Sequence, residues 1–212
     1  KKQCNDPQLE HYGLDETSIK FIKRIQETGY KFNEGNLTHL IMYDNFSGFE
    51  YVCKCGIKPP PQHIDSIIKN GNLVFIRYLF ENDIVDSKKS ISVSEVFCDK
   101  GNLEGLKYLI DNKFKISDKC INLIFKHDNG ELLKYLHENG LEFEKEIIIQ
   151  SVEKKSLNCF KLIIGKVPIT SDEFSKIKKV GNNPIHKSMK KILYNRENYI
   201  EEPTVPTLYF NT

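Results

Sequence analysis

The sequence predicts an all-α chain, an α-solenoid of stacked helix-turn-helix units, and three observations carry that expectation. One helical segment recurs six times within 212 residues, at spacings of 27, 27, 30, 27 and 27. Apolar residues hold fixed columns with a helical period across the copies. Turn-forming residues separate the copies at equally fixed places.

The copies begin at Ser18, Asn45, Asn72, Asn102, Asn129 and Ser156 and read SIKFIKRIQETGY, NFSGFEYVCKCGI, NLVFIRYLFENDI, NLEGLKYLIDNKF, NGELLKYLHENGL and SLNCFKLIIGKVP. Ile22, Phe49, Ile76, Leu106, Leu133 and Phe160 fill one apolar column. Ile25, Val52, Leu79, Leu109, Leu136 and Ile163 fill another three residues on, which makes one helix face. Tyr51, Tyr78, Tyr108 and Tyr135 stand between the two, a place that suits a partly buried ring with a reachable hydroxyl. The opening Asn and Ser residues are helix N-caps, because their side chains accept a bond from an otherwise unpaired amide.

Asp44, Gly71, Gly101 and Asp128 precede four of the caps and mark a tight turn. Cys55, Asn82, Asn112 and Asn139, followed by Gly56, Asp83, Lys113 and Gly140, mark a helix end of the left-handed type. Before each tight turn lies a second short apolar segment: LTHLIMYD, HIDSIIKNG, VSEVFCDKG, INLIFKHD and EIIIQSVEKK. Each repeat is therefore helix, tight turn, helix and short loop. A three-residue insertion within 86–92 accounts for the single spacing of 30. Neither helix can bury its apolar face alone, so the repeats must stack.

Composition sets limits on function. With 31 Lys and Arg against 29 Asp and Glu, the net charge of +2 gives no general attraction to nucleic acid or anionic lipid. No apolar run reaches the roughly 20 residues that span a bilayer, and the opening KKQCNDPQLE lacks the apolar stretch of a secretory signal. The chain reads as an intracellular, cytoplasmic protein with no membrane partner. Its six cysteines (Cys4, Cys53, Cys55, Cys98, Cys120 and Cys159) are irregularly spaced and read as reduced thiols.

The segments GNLVFIRYLFENDI (71–84), GNLEGLKYLIDNKFKI (101–116) and DNGELLKYLHENGLEF (128–143) resemble the second helix of ankyrin repeats. They are most similar to the short ankyrin-like repeats of large DNA viruses that replicate in protists. The resemblance covers about Ser18 to Pro168. It implies a viral protein-interaction scaffold in host cytoplasm or virion, engaging a host or viral protein, with substrate adaptors for ubiquitin ligases among the roles it suggests. The period of about 27 residues falls short of the family's 33, and the T-P-L-H-x-A of its first helix is absent, as is every alanine. Short loops are expected where full ankyrin units carry hairpin fingers. The expected organisation is an N-terminal cap (1–17), six units (18–168), C-terminal capping helices (169–195) and an extended tail (196–212).

Catalytic motifs are not found: there is no H-E-x-x-H, no G-x-S-x-G and no glycine-rich phosphate loop, and the six histidines are scattered. The chain is read as non-enzymatic and without cofactor. Cys53 and Cys55, with His63 eight residues on, form the one metal-like signal. It lacks a second ligand pair, and structural thiols are the better reading. Cys98 lies in a core column.

The candidate partner site is a row at the ends of the first helices: Tyr43, Lys69, Asn70, Lys100, Lys126, His127, Lys154 and Lys155. In an ankyrin-type stack this row would line the concave groove and meet an acidic protein surface. Solvated helix ends give the same pattern, since Lys complements the helix dipole. A second candidate is the tail, through Leu208, Tyr209 and Phe210. Two other readings stand beside the scaffold: nucleic-acid binding through the Lys-bearing row and SKIKKV…HKSMKK, and a structural part of a larger assembly.

Overall fold

The structure is a computed structural model that describes residues 16–144, 146–167, 169–181 and 183–200. Its backbone repeats in step with the sequence. Among these residues every positive φ falls in one of two columns: Asp44, Gly71, Gly101, Asp128 and Lys155, and then Gly29, Gly56, Asp83, Lys113 and Gly140. The first column is the turn within a helix pair and the second is the turn that leaves it. A β-carbon makes the left-handed region costly, by about 1 kcal/mol or more per residue. Short polar Asp and glycine therefore dominate both columns, and Lys113 (φ 57°) and Lys155 (φ 58°) are the departures.

The described residues form thirteen α-helices: α1 (Glu16–Glu27), α2 (Glu34–Met42), α3 (Phe46–Lys54), α4 (Pro61–Asn70), α5 (Leu73–Glu81), α6 (Ser90–Lys100), α7 (Leu103–Asp111), α8 (Cys120–Lys126), α9 (Gly130–Glu138), α10 (Glu146–Glu153), α11 (Leu157–Ile164), α12 (Ser171–Lys179) and α13 (Pro184–Ile200). No strand occurs among the described residues. The fold is all-helical and repeat-like, and among the described residues the short connections hold no hairpin fingers. The inserted residues form a 3-10 turn at Ser87–Lys89, capped by Asp86, whose carboxylate accepts from the Lys88 amide at 2.8 Å. That bond holds the Asp86 carboxyl below its usual range.

The capping expectation holds at Asn45, Asn72, Asn102 and Asn129, whose side chains accept from the amides of Gly48, Val74, Gly105 and Leu132. It fails at Ser18, which lies inside α1, and at Ser156, which makes no such bond. There Asp128 of the preceding turn does the capping: its Oδ1 accepts from the amides of Asn158 (2.7 Å) and Cys159 (3.2 Å) and from the Ser156 hydroxyl (2.8 Å). At the far helix ends the asparagines are not themselves left-handed. Asn82, Asn112 and Asn139 instead donate from Nδ2 to the carbonyls of Tyr78, Tyr108 and Tyr135, between 2.8 and 2.9 Å. Each carbonyl also accepts from the backbone amide of the same asparagine, so side chain and main chain close the last turn together. The Tyr-x-x-x-Asn spacing of the sequence is thus a backbone device as well as a packing one.

Two compact units make up the chain, Lys1–Ser117 and Asp118–Thr212. In the first, α1, α3 and α5 pack in series, and so do α2, α4 and α6. Its core holds Leu37, Phe49, Val52, Ile67, Ile76, Leu79, Phe97 and Leu109. Gly105 is fixed by this packing, because a β-carbon there would stand 2.7 Å from the fully buried Phe97 ring. The loop after α7 is tied to α6: the Ser90 hydroxyl donates to the Lys115 carbonyl and the Ser117 amide donates to the Ser94 hydroxyl.

In the second unit α9, α11 and α13 pack in series and α10 meets α11 and α12. The predicted core columns are buried across both units, with Ile25 half-buried. The last helix departs from them. Asn183, 27 residues after Ser156, caps α13, accepting from the His186 amide at 2.9 Å, yet the buried face is His186, Met189 and Leu193, one residue earlier than in the repeats. His186, 6% exposed, sets both ring nitrogens 3.1 Å from carbonyl oxygens, those of Val152 on α10 and Gly181. A ring N–H donates to one of them in either neutral tautomer. α13 runs to Ile200, past the boundary at 195 expected for the start of the tail.

Leu109 is fully buried, so Leu109→Ala should cost about 3 kcal/mol in chemical denaturation, and Leu109→Asp should abolish the cooperative transition of the first unit. Asp128→Ala should cost the second unit about 2 kcal/mol by losing the cap of α11. Asp128→Asn keeps an acceptor oxygen and the left-handed turn, and should retain more than half of that stability.

Candidate functional site

The candidate row is built by the turns. Tyr43 and His127 are the C-cap residues of α2 and α8; Lys69 and Asn70, Lys100, and Lys126 close α4, α6 and α8; Lys154 and Lys155 follow α10. All eight residues are exposed. Their neighbours on the C-terminal side carry hydrogen bonds from one turn to the next. Asn72 Nδ2 donates to Asp44 Oδ1 at 2.5 Å, and Asn102 Nδ2 donates to the Gly71 carbonyl at 3.4 Å. The Ser156 hydroxyl donates to Asp128. Within the first unit these contacts hold Tyr43, Lys69, Asn70 and Lys100 on successive turns. Within the second they join the turn of Lys126 and His127 to that of Lys154 and Lys155.

The row has chemical character. Lysines at helix C-termini sit where the dipole favours cations, by about 0.3 to 1 kcal/mol each. Lys100 lies against Gly71, where a β-carbon would come within 2.8 Å of its Cδ, so its stem packs on the neighbouring turn while its ammonium reaches solvent. Tyr43 and Met42 are 79% and 71% exposed, the two most exposed large apolar side chains among the described residues. Met42, which is not among the row's residues, stands beside Tyr43 and adds an apolar spot to a basic edge. Leu208, Tyr209 and Phe210 lie outside the described residues, as do Cys4 and residues 1–15.

The thiols and histidines do not converge. Cys53 is half-buried and hydrogen-bonded with the Tyr78 hydroxyl, while Cys55 accepts a long contact from Gln26 Nε2 at 3.9 Å. His63 instead sets Nε2 2.8 Å from Thr38 Oγ1. Among the described residues no group of three or more His, Cys, Asp or Glu could hold a metal ion. Burial pushes the Cys53 thiol up to about 12, with the Glu50 carboxylate adding to the effect, and burial pushes Cys159 up to about 11. Cys98 and Cys120 are buried in the two cores. The tyrosine column packs as expected: Tyr51 and Tyr78 are buried, Tyr108 and Tyr135 half-buried. Tyr51 donates to Gln26, and Arg77 lies 5.4 Å over the Tyr108 ring.

A shallow cavity of about 400 Å³ opens between α5 and α7, lined by Leu73, Arg77, Glu81, Glu104, Lys107 and Tyr108 among others. Four of its charged residues form two ion pairs, Arg77 with Glu81 at 3.4 Å and Lys107 with Glu104 at 2.7 Å, and Asp111 also lines it. No helix among the described residues is long and apolar enough to cross a membrane.

Comparison with protein-family models, curated proteins and solved structures found no match. The ankyrin resemblance rests on the repeat segments themselves.

Thiol reactivity tests the electrostatics. At pH 8 a thiol raised to about 12 is almost wholly protonated, and thiolate is the nucleophile. Iodoacetamide should therefore leave Cys53 and Cys159 unmodified in the folded protein and modify both in denaturant, as read by peptide mass spectrometry. Rapid native labelling of Cys53 would contradict the placement of α3 against α5.

Proposed function

We propose that the chain is a non-enzymatic protein-interaction scaffold, an α-solenoid of six ankyrin-like units that presents the first-helix ends to a partner. The observation that carries this reading is the combination in that row of full exposure, regular spacing and rigid support. Within each unit the turns behind it are joined by side-chain hydrogen bonds, while most apolar side chains of the helices are taken up in packing. A preformed surface binds with little ordering cost.

The partner is an acidic protein surface with a small apolar recess. Lys69, Lys100, Lys126 and Lys154 supply the charge that steers association, and Tyr43 with Met42 supplies the anchor, since exposed aromatic residues dominate interface energetics. The similarity of the repeats to viral ankyrin-like families puts a host or viral protein in the partner's role.

The reading is tested by affinity purification from cells that make the natural protein, with nuclease and moderate salt in the wash. A specific protein should be retained by the parent and lost with Lys69→Glu, Lys100→Glu, Lys126→Glu and Lys154→Glu combined. Tyr43→Ala alone should weaken capture by about tenfold or more. Tyr43→Ala should melt within a few degrees of the parent, because the position is exposed, and the combined variant should melt lower by the lost dipole complementation yet still cooperatively. Undiminished capture by the combined variant would overturn the site.

A further inference from the structure

The outward faces of the second helices carry a recurring ion pair that stops after α9. On α3 it is Glu50 with Lys54 at 3.1 Å, on α5 Arg77 with Glu81 at 3.4 Å, and on α9 Lys134 with Glu138 at 3.8 Å. On α7 Lys107 pairs with Glu104 at 2.7 Å. Each face is thereby close to neutral. On α11 the cation persists as Lys161, but Gly165 stands four residues on, where the partner carboxylate would be. On α13 Lys187 is followed at that spacing by Lys191. Lys161, Lys187 and Lys191 are all exposed, and α11 packs directly on α13 within the second unit.

The loss of compensation is general in this region. Between Lys154 and Asn195 the chain has ten lysines, no arginine and two acidic residues, and both acids are already engaged. Glu173 is buried and its Oε2 accepts from the Thr170 amide and hydroxyl at 2.8 and 2.9 Å. Asp172 pairs with Lys176 at 2.7 Å. Lys190 donates to the Val180 carbonyl at 2.8 Å and Lys178 lies 3.8 Å over the Phe174 ring. Lys161, Lys187 and Lys191 have no carboxylate partner among the described residues.

An aromatic ring completes the surface. Tyr194 is 57% exposed on α13, three residues from Lys191 and seven from Lys187, so the three side chains share one stripe of the helix. Met189 and Leu193 of α13 point the other way and are buried, while Ile185 in its first turn is 37% exposed. Among its described residues Ile185 is a single exposed aliphatic side chain, not a continuous apolar face that could insert into a bilayer. Cations in line with an exposed ring match the chemistry of a single strand, in which phosphates meet ammonium groups and a base stacks on the ring.

We propose that Lys161, Lys187, Lys191 and Tyr194 form a binding surface for single-stranded nucleic acid on α11 and α13, with phosphates on the lysines and a base stacked on Tyr194. This surface lies on the second helices and is independent of the protein-binding row on the first.

Fluorescence anisotropy of the full chain with a fluorescein-labelled oligothymidylate of about 20 nucleotides tests it, alongside a duplex of the same length and phosphatidylserine vesicles. Affinity for the single strand should fall with salt. Replacing the three lysines by alanine together should lower the log–log salt slope by about 2. Tyr194→Ala should weaken binding by about tenfold with the slope unchanged, and Tyr194→Phe should restore it. Absence of oligothymidylate binding at about 50 mM salt would overturn the proposal. So would equal affinity for duplex or vesicles with no response to Tyr194→Ala, which would mark a general polyanion surface. Melting curves within a few degrees of the parent's would confirm that each variant is folded.

Discussion

The structure depends on a turn that must be made in the left-handed region of backbone space, once between the helices of each pair and once on leaving it. In the first of these columns the residue that accepts the strain also reaches forward. Asp44 accepts from Asn72, the Gly71 carbonyl accepts from Asn102, and Asp128 takes the Ser156 hydroxyl together with two amides of α11. A local constraint of the chain is thus converted into a contact between successive repeats. Apolar burial supplies the larger share of the driving force, but burial is non-directional. The turn bonds set where one pair sits against the next and so where the exposed row falls.

Most of this was legible in the sequence, because the repeat averages away the ambiguity of any single helix. Phe49, Ile76, Leu106, Leu133 and Phe160 declare one face together, where each alone would be a short apolar run. The asparagine caps and the two turn columns were legible for the same reason. What escaped was local. Ser156 looked like a cap by its column, yet a carboxylate 28 residues earlier holds its helix end, and no pattern of nearby residues encodes that exchange. The one-residue rotation of α13 was hidden because its cap keeps the period while His186, a polar residue, takes a core place through two backbone carbonyls.

The surface was less legible than the core, for a physical reason. Burial constrains residue type in every copy, whereas an exposed position is constrained only if it is used, so the row at the first-helix ends looked as much like ordinary dipole complementation as like a site. Its exposure and its support by the turn bonds became visible only in three dimensions. The charge asymmetry on α11 and α13 was legible in part: the excess of lysine shows in the sequence, but only the ion pairs on α3, α5, α7 and α9 reveal that the later helices lack compensation.

The 3-10 turn at Ser87–Lys89 lengthens one connection by three residues, while the helix pairs on either side, α4 with α5 and α6 with α7, keep their internal spacing. Length is therefore conserved inside each pair and negotiable between pairs. Residues 87–89 therefore mark the joint of this unit where added length falls outside the helix pairs, the natural place to graft a fluorophore, an epitope or a cleavable sequence.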